Sequence, residues 1–327
     1  AKKLKLTETL PRTTGVYMFT DSQGEVLYVG KASNLRSRVR SYFGTNESRT
    51  KVGSLLKLMQ GIEFIQTPDL LTAEVLELRI IGRLRPRYNH AGTRTAKYCY
   101  VRLTTDEEWP RLMVSKTPSA KGLCIGPIST RNMATEVVDA IESVIPLRRC
   151  TVRMGRNYVA PEGAPVCSAA RLGLAQCPCS GTAEPESYAN AVQQAADALT
   201  GKSSFVRDAL TERMNAHSEA QRYEEAAYLR DRIQTFETVL RRQEQAEKLC
   251  SQGKFTVSFD NIVYEVDNGV LASTRNADQL FMPLSSLSKQ VQEAIIPPAG
   301  VHDDHGVLRN DAMDEVLCIA KFLEAQK

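Results

Sequence analysis

The 327-residue sequence predicts a multidomain α+β protein. Three observations carry that prediction. Two short runs rich in β-branched and aromatic residues, Gly15-Val16-Tyr17-Met18-Phe19 and Glu25-Val26-Leu27-Tyr28-Val29-Gly30, flank a turn and predict an antiparallel hairpin. Between 184 and 247 apolar residues recur at helical spacing. From 253 to 287 the pattern returns to strands. The length suits two to four domains. The succession of strand-like, cysteine-bearing and helical segments is read as a division into 1–90, 91–149, 150–182, 183–248 and 249–327.

A hydrophobic fraction of 42% with 24% charged residues is that of a globular protein. No run of about 18 apolar residues occurs, so no transmembrane helix and no membrane partner are expected. The start, Ala1-Lys2-Lys3-Leu4-Lys5, lacks an apolar signal core, and a cytoplasmic location is expected. Ala1 in place of Met is what a piece of a longer chain, or a processed one, would show. Net charge is only +4, but it is uneven. Between 31 and 102 stand fourteen Lys or Arg against five Asp or Glu, a local excess of nine. Such a basic stretch is the expected footprint of a polyanion, or else a solvated charged surface.

The hairpin comes first. Asp21-Ser22-Gln23-Gly24 has turn chemistry, and pairing Asp21 with Gly24 puts Tyr17 opposite Tyr28 on one sheet face. Gly30 lets the chain leave the strand. Ser33 is the expected N-cap of a helix ending near Phe43, with Leu35, Val39 and Phe43 as its apolar stripe. Lys31, Arg38 and Tyr42 fall on one common side. Phenols beside fixed cations suit phosphodiester chemistry.

The run 70–83 is apolar on most sides and predicts a buried helix. Projected at 100° per residue, Glu77 falls between Ala73, Ile80 and Ile81. A carboxylate in an apolar sector needs a partner, either a divalent metal or a salt bridge.

These residues match a family. Gly15-Val16-Tyr17 and Tyr28-Val29-Gly30 resemble the two signatures of the GIY-YIG endonucleases. The longer pattern, with Leu10-Pro11, Lys31-Ala32, Asn34-Leu35, Arg38-Val39-Arg40-Ser41-Tyr42-Phe43 and Arg85-Pro86-Arg87-Tyr88-Asn89, resembles the UvrC branch. The resemblance implies metal-dependent hydrolysis of one DNA phosphodiester 3′ to a lesion, in nucleotide excision repair. It implies Mg²⁺ or Mn²⁺ on Glu77, Tyr28 as general base aided by Lys31, and Arg38 on the phosphate. It further implies Tyr17 and Tyr42 orienting water and phosphate, with Asn89 bracing the site. Lys31, Arg36, Arg38, Arg40, Arg85 and Arg87 are the expected contacts to double-stranded DNA. The competing reading is a DNA-damage or junction adaptor that no longer cuts; an RNA substrate is a third.

Residues 97–149 read as a small α/β unit, with Trp109 as packing or as a base-stacking group. Four cysteines then crowd together: Cys150, Cys167, Cys177 and Cys179. In a cytosolic chain such a cluster points to metal rather than disulfides. UvrC-like proteins carry an iron–sulfur centre here, which implies [4Fe–4S], with Zn²⁺ or unliganded thiols as alternatives. The Cys177-Pro178-Cys179 spacing departs from the family's pattern, which separates these two cysteines by three residues.

Helices are expected over 186–200, 204–217 and 219–247. The string from Tyr223 to Ile233 resembles the UVR motif, which implies a UvrB-type partner contacting Tyr223, Ala226, Ala227, Leu229, Arg230 and Asp231. A plain helical hairpin is the alternative. Strands near 255–258, 262–266 and 270–272 and a helix from Asp311 to Ala325 complete a small α+β domain. The residues after 249 are too few for the RNase H-like and helix-hairpin-helix domains of longer UvrC proteins, so one nuclease site is expected. The resemblance extends to short UvrC-like proteins, including those fused to an upstream exonuclease in actinobacteria.

Overall fold

A computed structural model describes residues 5–44, 50–89, 98–276, 286–304 and 306–326. The described residues form two compact units. One gathers those of Ala1–Thr95, Ala246–Val301 and Asn310–Lys327; the other gathers Ala96–Gln245 with His302–Arg309. None of the described helices is long and apolar enough to cross a membrane.

The first unit starts with the predicted hairpin, β1 (Gly15–Thr20) and β2 (Val26–Ala32). A third strand, β3 (Gly61–Gln66), pairs on the other side of β1, giving the antiparallel order β2-β1-β3. Period-two alternation sends Val16 and Met18 to one face, and Tyr17 and Phe19 to the other. The second face is closed by α1 (Leu35–Ser41) through Leu35 and Val39, and by α2 (Thr50–Leu58) through Leu55. The first is closed by α3 (Leu70–Leu84) through Ala73, Ile80 and Ile81.

The hairpin register differs from the expectation. Tyr17 pairs with Gly30, and Phe19 with Tyr28, with an irregularity after Phe19. The Asp21–Gly24 turn does form, Gly24 N–H donating to the Asp21 carbonyl at 3.3 Å. Asp21 N–H, however, donates to the Glu25 carbonyl at 3.0 Å, which moves the pairing by one residue, and the irregularity after Phe19 moves it by one more. A shift of two keeps every side chain on its face, so Tyr17 and Tyr28 still share one. Gly30 lies inside β2 and is not its exit. The α1 cap is Asn34 rather than Ser33, its side chain accepting from Ser37 N–H at 2.9 Å.

The same unit contains a meander, β7 (Lys254–Phe259), β8 (Ile262–Asp267) and β9 (Val270–Asn276), with α9 (Lys289–Ala294) and α10 (Asn310–Ala325). This C-terminal segment packs on α3. Arg79 of α3 makes a buried, two-pronged ion pair with Glu315 of α10, at 2.9 and 2.6 Å.

The second unit holds a sheet ordered β5 (Leu112–Ser115), β4 (Cys99–Leu103), β6 (Leu123–Ile128). The helix α4 (Arg131–Glu142) and the long helices α6 (Pro185–Leu199), α7 (Phe205–Glu219) and α8 (Tyr223–Ser251) share a core with it through Val101, Val137, Ile141, Tyr188, Leu210 and Phe236. Trp109 packs edge-on against Tyr188 with ring centres 5.0 Å apart. The intervening cysteine segment contributes only α5 (Ser168–Arg171) and a 3-10 turn (Pro178–Ser180).

Removing one partner of a buried ion pair strands a charge in the core. Glu315→Ala is therefore expected to destabilise the protein by about 3–5 kcal/mol in urea denaturation; a loss under about 1 kcal/mol would show that the pair carries no such strain.

Candidate active site

The site is built on β2, an edge strand whose outward backbone groups need partners. Residues, not another strand, supply them. Asn89 accepts Val29 N–H at 2.8 Å and donates to the Val29 carbonyl at 2.8 Å. Tyr88 N–H reaches the Leu27 carbonyl at 3.0 Å. Glu77 Oε1 accepts Lys31 N–H at 3.2 Å. The hydrogen bonding that closes the edge thus sets Glu77 and Asn89 against the strand that carries Tyr28.

Three phenols converge on the adjacent face. Tyr17 Oη lies 2.9 Å from Tyr42 Oη, and Tyr42 Oη donates to Tyr28 Oη at 3.3 Å. Their ring centres are 6.0 to 6.2 Å apart. Tyr17 and Tyr42 are buried and Tyr28 is half-buried. The Arg38 guanidinium stands 5.4 Å from the centre of the Tyr42 ring. Both signature glycines serve close approach. A Cβ on Gly30 would stand 2.5 Å from Tyr17 Oη, and one on Gly15 would stand 2.1 Å from the Ile65 carbonyl oxygen. Without Gly30 the Tyr17 ring could not lie across β2.

Electrostatics favour the protonated form of Tyr17 and Tyr28. Burial raises Tyr17, and the neighbouring Tyr42 and Tyr28 raise it further. Burial also raises Tyr28, with contributions from Tyr42 and from the charge of Glu77. Burial raises Glu77 against the opposing pull of Lys31. The Lys31 ammonium stands 2.7 Å from Glu74 and 3.8 Å from Glu77. Glu77 is thus only half-buried, at the border of the apolar sector in which its helical projection put it.

The donor set fits a hard divalent cation. One Glu77 oxygen accepts a backbone N–H, and the other faces an ammonium at 3.8 Å. A small cation that keeps several waters needs only one or two carboxylates.

The expected DNA contacts divide into two groups. Arg38, Arg40, Arg85 and Arg87 are exposed. Arg36 is committed to the carbonyls of Leu10 at 2.6 Å and Glu8 at 2.9 Å, and Lys31 to its two glutamates.

The four cysteines meet in succession. Cys177 Sγ lies 3.2 Å from Cys179 Sγ, Cys167 hydrogen-bonds Cys177, and Cys150 hydrogen-bonds Cys179. Burial raises both central thiols. In Cys177 the hydrogen bonds from Cys167, Ser180 and Cys179 outweigh it and bring the thiol down to about 7, while Cys179 is pushed up to about 12. The buried Arg148 holds the start of this segment, donating to the Cys150 carbonyl at 3.0 Å and to its Sγ at 3.3 Å. Among the described residues no three His, Cys, Asp or Glu side chains are gathered as a metal-binding group. On α8, Tyr223 and Tyr228 are exposed, as are Arg230 and Asp231, which pair at 3.0 Å. Ala226, Ala227 and Leu229 are half-buried, and Leu229 packs on the core.

The raised carboxyl of Glu77 has a stability consequence. A carboxyl whose folded value lies above its unfolded one gives stability at low pH that is lost as pH rises through the folded value. Glu77→Gln is expected to melt above wild type at neutral pH, with the gap closing on acidification; a variant that melts lower would reverse the sign of the burial effect.

Three family models match the chain. The UvrC-like GIY-YIG domain matches residues 13–90, the UvrC/Cho excinuclease middle domain 98–198, and the UvrB/uvrC motif 206–239. The UvrABC system protein C of Syntrophus aciditrophicus is 35% identical over 234 residues, 71% of this chain and 37% of the relative. That of Koribacter versatilis is 36% identical over 72% of this chain and 38% of the relative. The chain thus spans about two fifths of the length of the curated relatives it matches. A crystal structure of the GIY-YIG N-terminal endonuclease domain of UvrC from Thermotoga maritima, bound to magnesium, is 33% identical. It covers 27% of this chain and 98% of that one, with a TM-score of 0.25. With the tyrosine pair, Glu77 and the helical motif each falling inside a matched stretch, the chain belongs to the UvrC-like GIY-YIG family.

Proposed function

We propose that the protein is a DNA endonuclease of nucleotide excision repair that hydrolyses one phosphodiester 3′ to a lesion. One observation carries this reading: three mutually bonded phenols, a half-buried carboxylate, a lysine and an arginine meet along a single strand. Glu77 would hold Mg²⁺ or Mn²⁺. When bound, such a cation neutralises charge developing on the phosphate and its leaving oxygen.

The remaining work falls to this chain's own groups. Tyr28, the half-buried member of the phenol set, takes the proton of the attacking water. Its raised proton affinity makes the phenolate scarce at neutrality and strong when formed. Tyr42 bonds Tyr28 Oη and so fixes the direction of its phenol, while Tyr17 holds Tyr42 in place. Arg38 offers a planar fork to the phosphate oxygens. Lys31, held near Glu77 by Glu74, supplies a second positive charge at the strand. Arg40, Arg85 and Arg87 grip the duplex backbone through their exposed charges. Asn89 keeps β2 in register under the site.

The exposed start of α8 suits a UvrB-type partner, with Tyr223 and Tyr228 turned outward and Leu229 anchoring the helix to its own core. The four thiols have the donor chemistry of an iron–sulfur cluster, or of zinc in its place, although the described side chains are not gathered into a metal-binding group. Anaerobic purification with iron, sulfide and zinc analysis decides between them, and a colourless protein with stoichiometric zinc would replace the cluster.

Incision of a lesion-bearing duplex tests the main reading. Nicking is expected with Mg²⁺ or Mn²⁺ and to vanish in Glu77→Ala, while Tyr28→Phe falls by about 10²–10⁴-fold. The rate is expected to climb about tenfold per pH unit through the neutral range, because the base's proton affinity is raised. Wild type and Glu77→Ala equally inert yet both DNA-bound, with the UvrB-type partner present, would make the protein an adaptor. Cleavage of RNA alone would change the substrate.

A further inference from the structure

We propose that the C-terminal segment positions Glu77, and that Arg79 and Glu315 are the residue pair through which it does so. The inference rests on Glu77 as the cation ligand.

Arg79 follows Glu77 by two residues, about 200° round the helix. Glu77 therefore addresses the edge of β2 while Arg79 addresses the opposite side, where the C-terminal segment packs. Every nitrogen of the Arg79 guanidinium is engaged there. Nε donates to Glu315 Oε2 at 2.9 Å and Nη2 to Glu315 Oε1 at 2.6 Å. Nη1 donates to the Ile295 carbonyl at 3.0 Å and Nη2 also to that of Leu271 at 2.6 Å. Glu315 Oε1 accepts Leu271 N–H at 2.9 Å as well. Four pieces of chain, α3, β9, the end of α9 and α10, thus lock at one ion pair whose side chains are 7% and 4% exposed. A planar fork with this many fixed acceptors defines both rotation and height of the helix.

The grip extends along α3. Tyr264 Oη donates to Asp69, the cap of the helix. Thr72 Oγ1 donates to Thr274 Oγ1 at 3.2 Å. Arg83 Nη1 donates to the carbonyls of Glu293 at 2.8 Å and Ala294 at 2.9 Å. Contacts at 69, 72, 79 and 83 pin the helix from its cap to its last turn. A cation held by one carboxylate and waters has no other protein ligand to correct a misplaced one, so the placement of Glu77 sets its affinity.

The test is a Mn²⁺ titration of the full chain, read by the electron paramagnetic resonance of free Mn²⁺. Glu77→Ala defines the Glu77-dependent site. Arg79→Lys keeps the charge and loses the fork. Its Glu77-dependent dissociation constant for Mn²⁺ is expected to rise about tenfold, in a chain whose circular dichroism matches wild type. Tyr264→Phe, a milder loosening at the helix cap, is expected to raise it about threefold. Folded variants that bind Mn²⁺ as wild type does, within about twofold, would show that the pair is structural only and overturn the proposal. If Arg79→Lys does not fold, Tyr264→Phe decides by the same criterion. Wild type without any Mn²⁺ that Glu77→Ala removes would instead overturn the cation reading of the site, and this proposal with it.

Discussion

The outer edge of β2 is the constraint on which the site depends. An edge strand must have its outward N–H and C=O groups paired, covered or solvated. Here the partners are the side chains of Glu77 and Asn89 and the backbone of Tyr88. Closing the edge and assembling the site are one event. The carboxylate is brought to the strand because Lys31 N–H needs an acceptor, and the phenols lie on the face next to it because the strand alternates. A change that slips β2 by one residue would turn Tyr28 to the other face and offer Glu77 the wrong group.

The site is assembled against resistance. Burial disfavours the charged form of Glu77 and of two of its neighbouring phenols. Lys31 offsets part of this at Glu77, and Arg38 offsets part of it at Tyr17. The residual imbalance favours a site that gains from a divalent cation, since added positive charge relieves the carboxylate. It also explains why α3 is held so firmly on its far side. A helix carrying an unfavourably buried carboxylate drifts toward water unless something fixes it, and the Arg79–Glu315 pair provides that fixation where the apolar contacts of Ala73, Ile80 and Ile81 alone would permit sliding.

Much of this was legible in the sequence, for local reasons. The hairpin is announced by its turn residues, α3 by its apolar run, and the tyrosines and Glu77 by a spacing that matches a family. What escaped is non-local or weakly patterned. The register missed by two because Asp21 closes on Glu25 as well as turning at Gly24, and because a further residue is inserted after Phe19. β3 escaped because its six residues, Gly-Ile-Glu-Phe-Ile-Gln, follow a helix with no strong turn signal, and because Glu63 interrupts it; that glutamate bonds Ser288 far along the chain. Gly30 could be read as a breaker, but only the fold shows that it makes room for a ring. Arg79 looks like any helical arginine until Glu315, 236 residues later, is seen to meet it. The segment 249–327, read as a separate small domain, is grouped for the most part with the GIY-YIG stretch, while His302–Arg309 falls in the other unit.

The charge excess of the first third must also be read through the fold. Fourteen cations against five acids look like a broad polyanion surface. Several of those cations are spent inside the unit. Arg79 is buried on Glu315, Arg83 and Arg36 donate to backbone carbonyls, and Lys31 sits between two glutamates. A cation paired with protein groups releases no phosphate counterion unless it first abandons its partner. Among the described residues, Arg38 and Arg40 of α1 and Arg85 and Arg87 of the turn after α3 are exposed, and it is these that the proposed reading offers to a duplex. These two groups flank the strand on which Tyr28 stands, because α1 follows β2 directly and Tyr88-Asn89 returns to its edge. A backbone gripped at both would cross the phenols, so the same edge closure that places Glu77 also aims the cations.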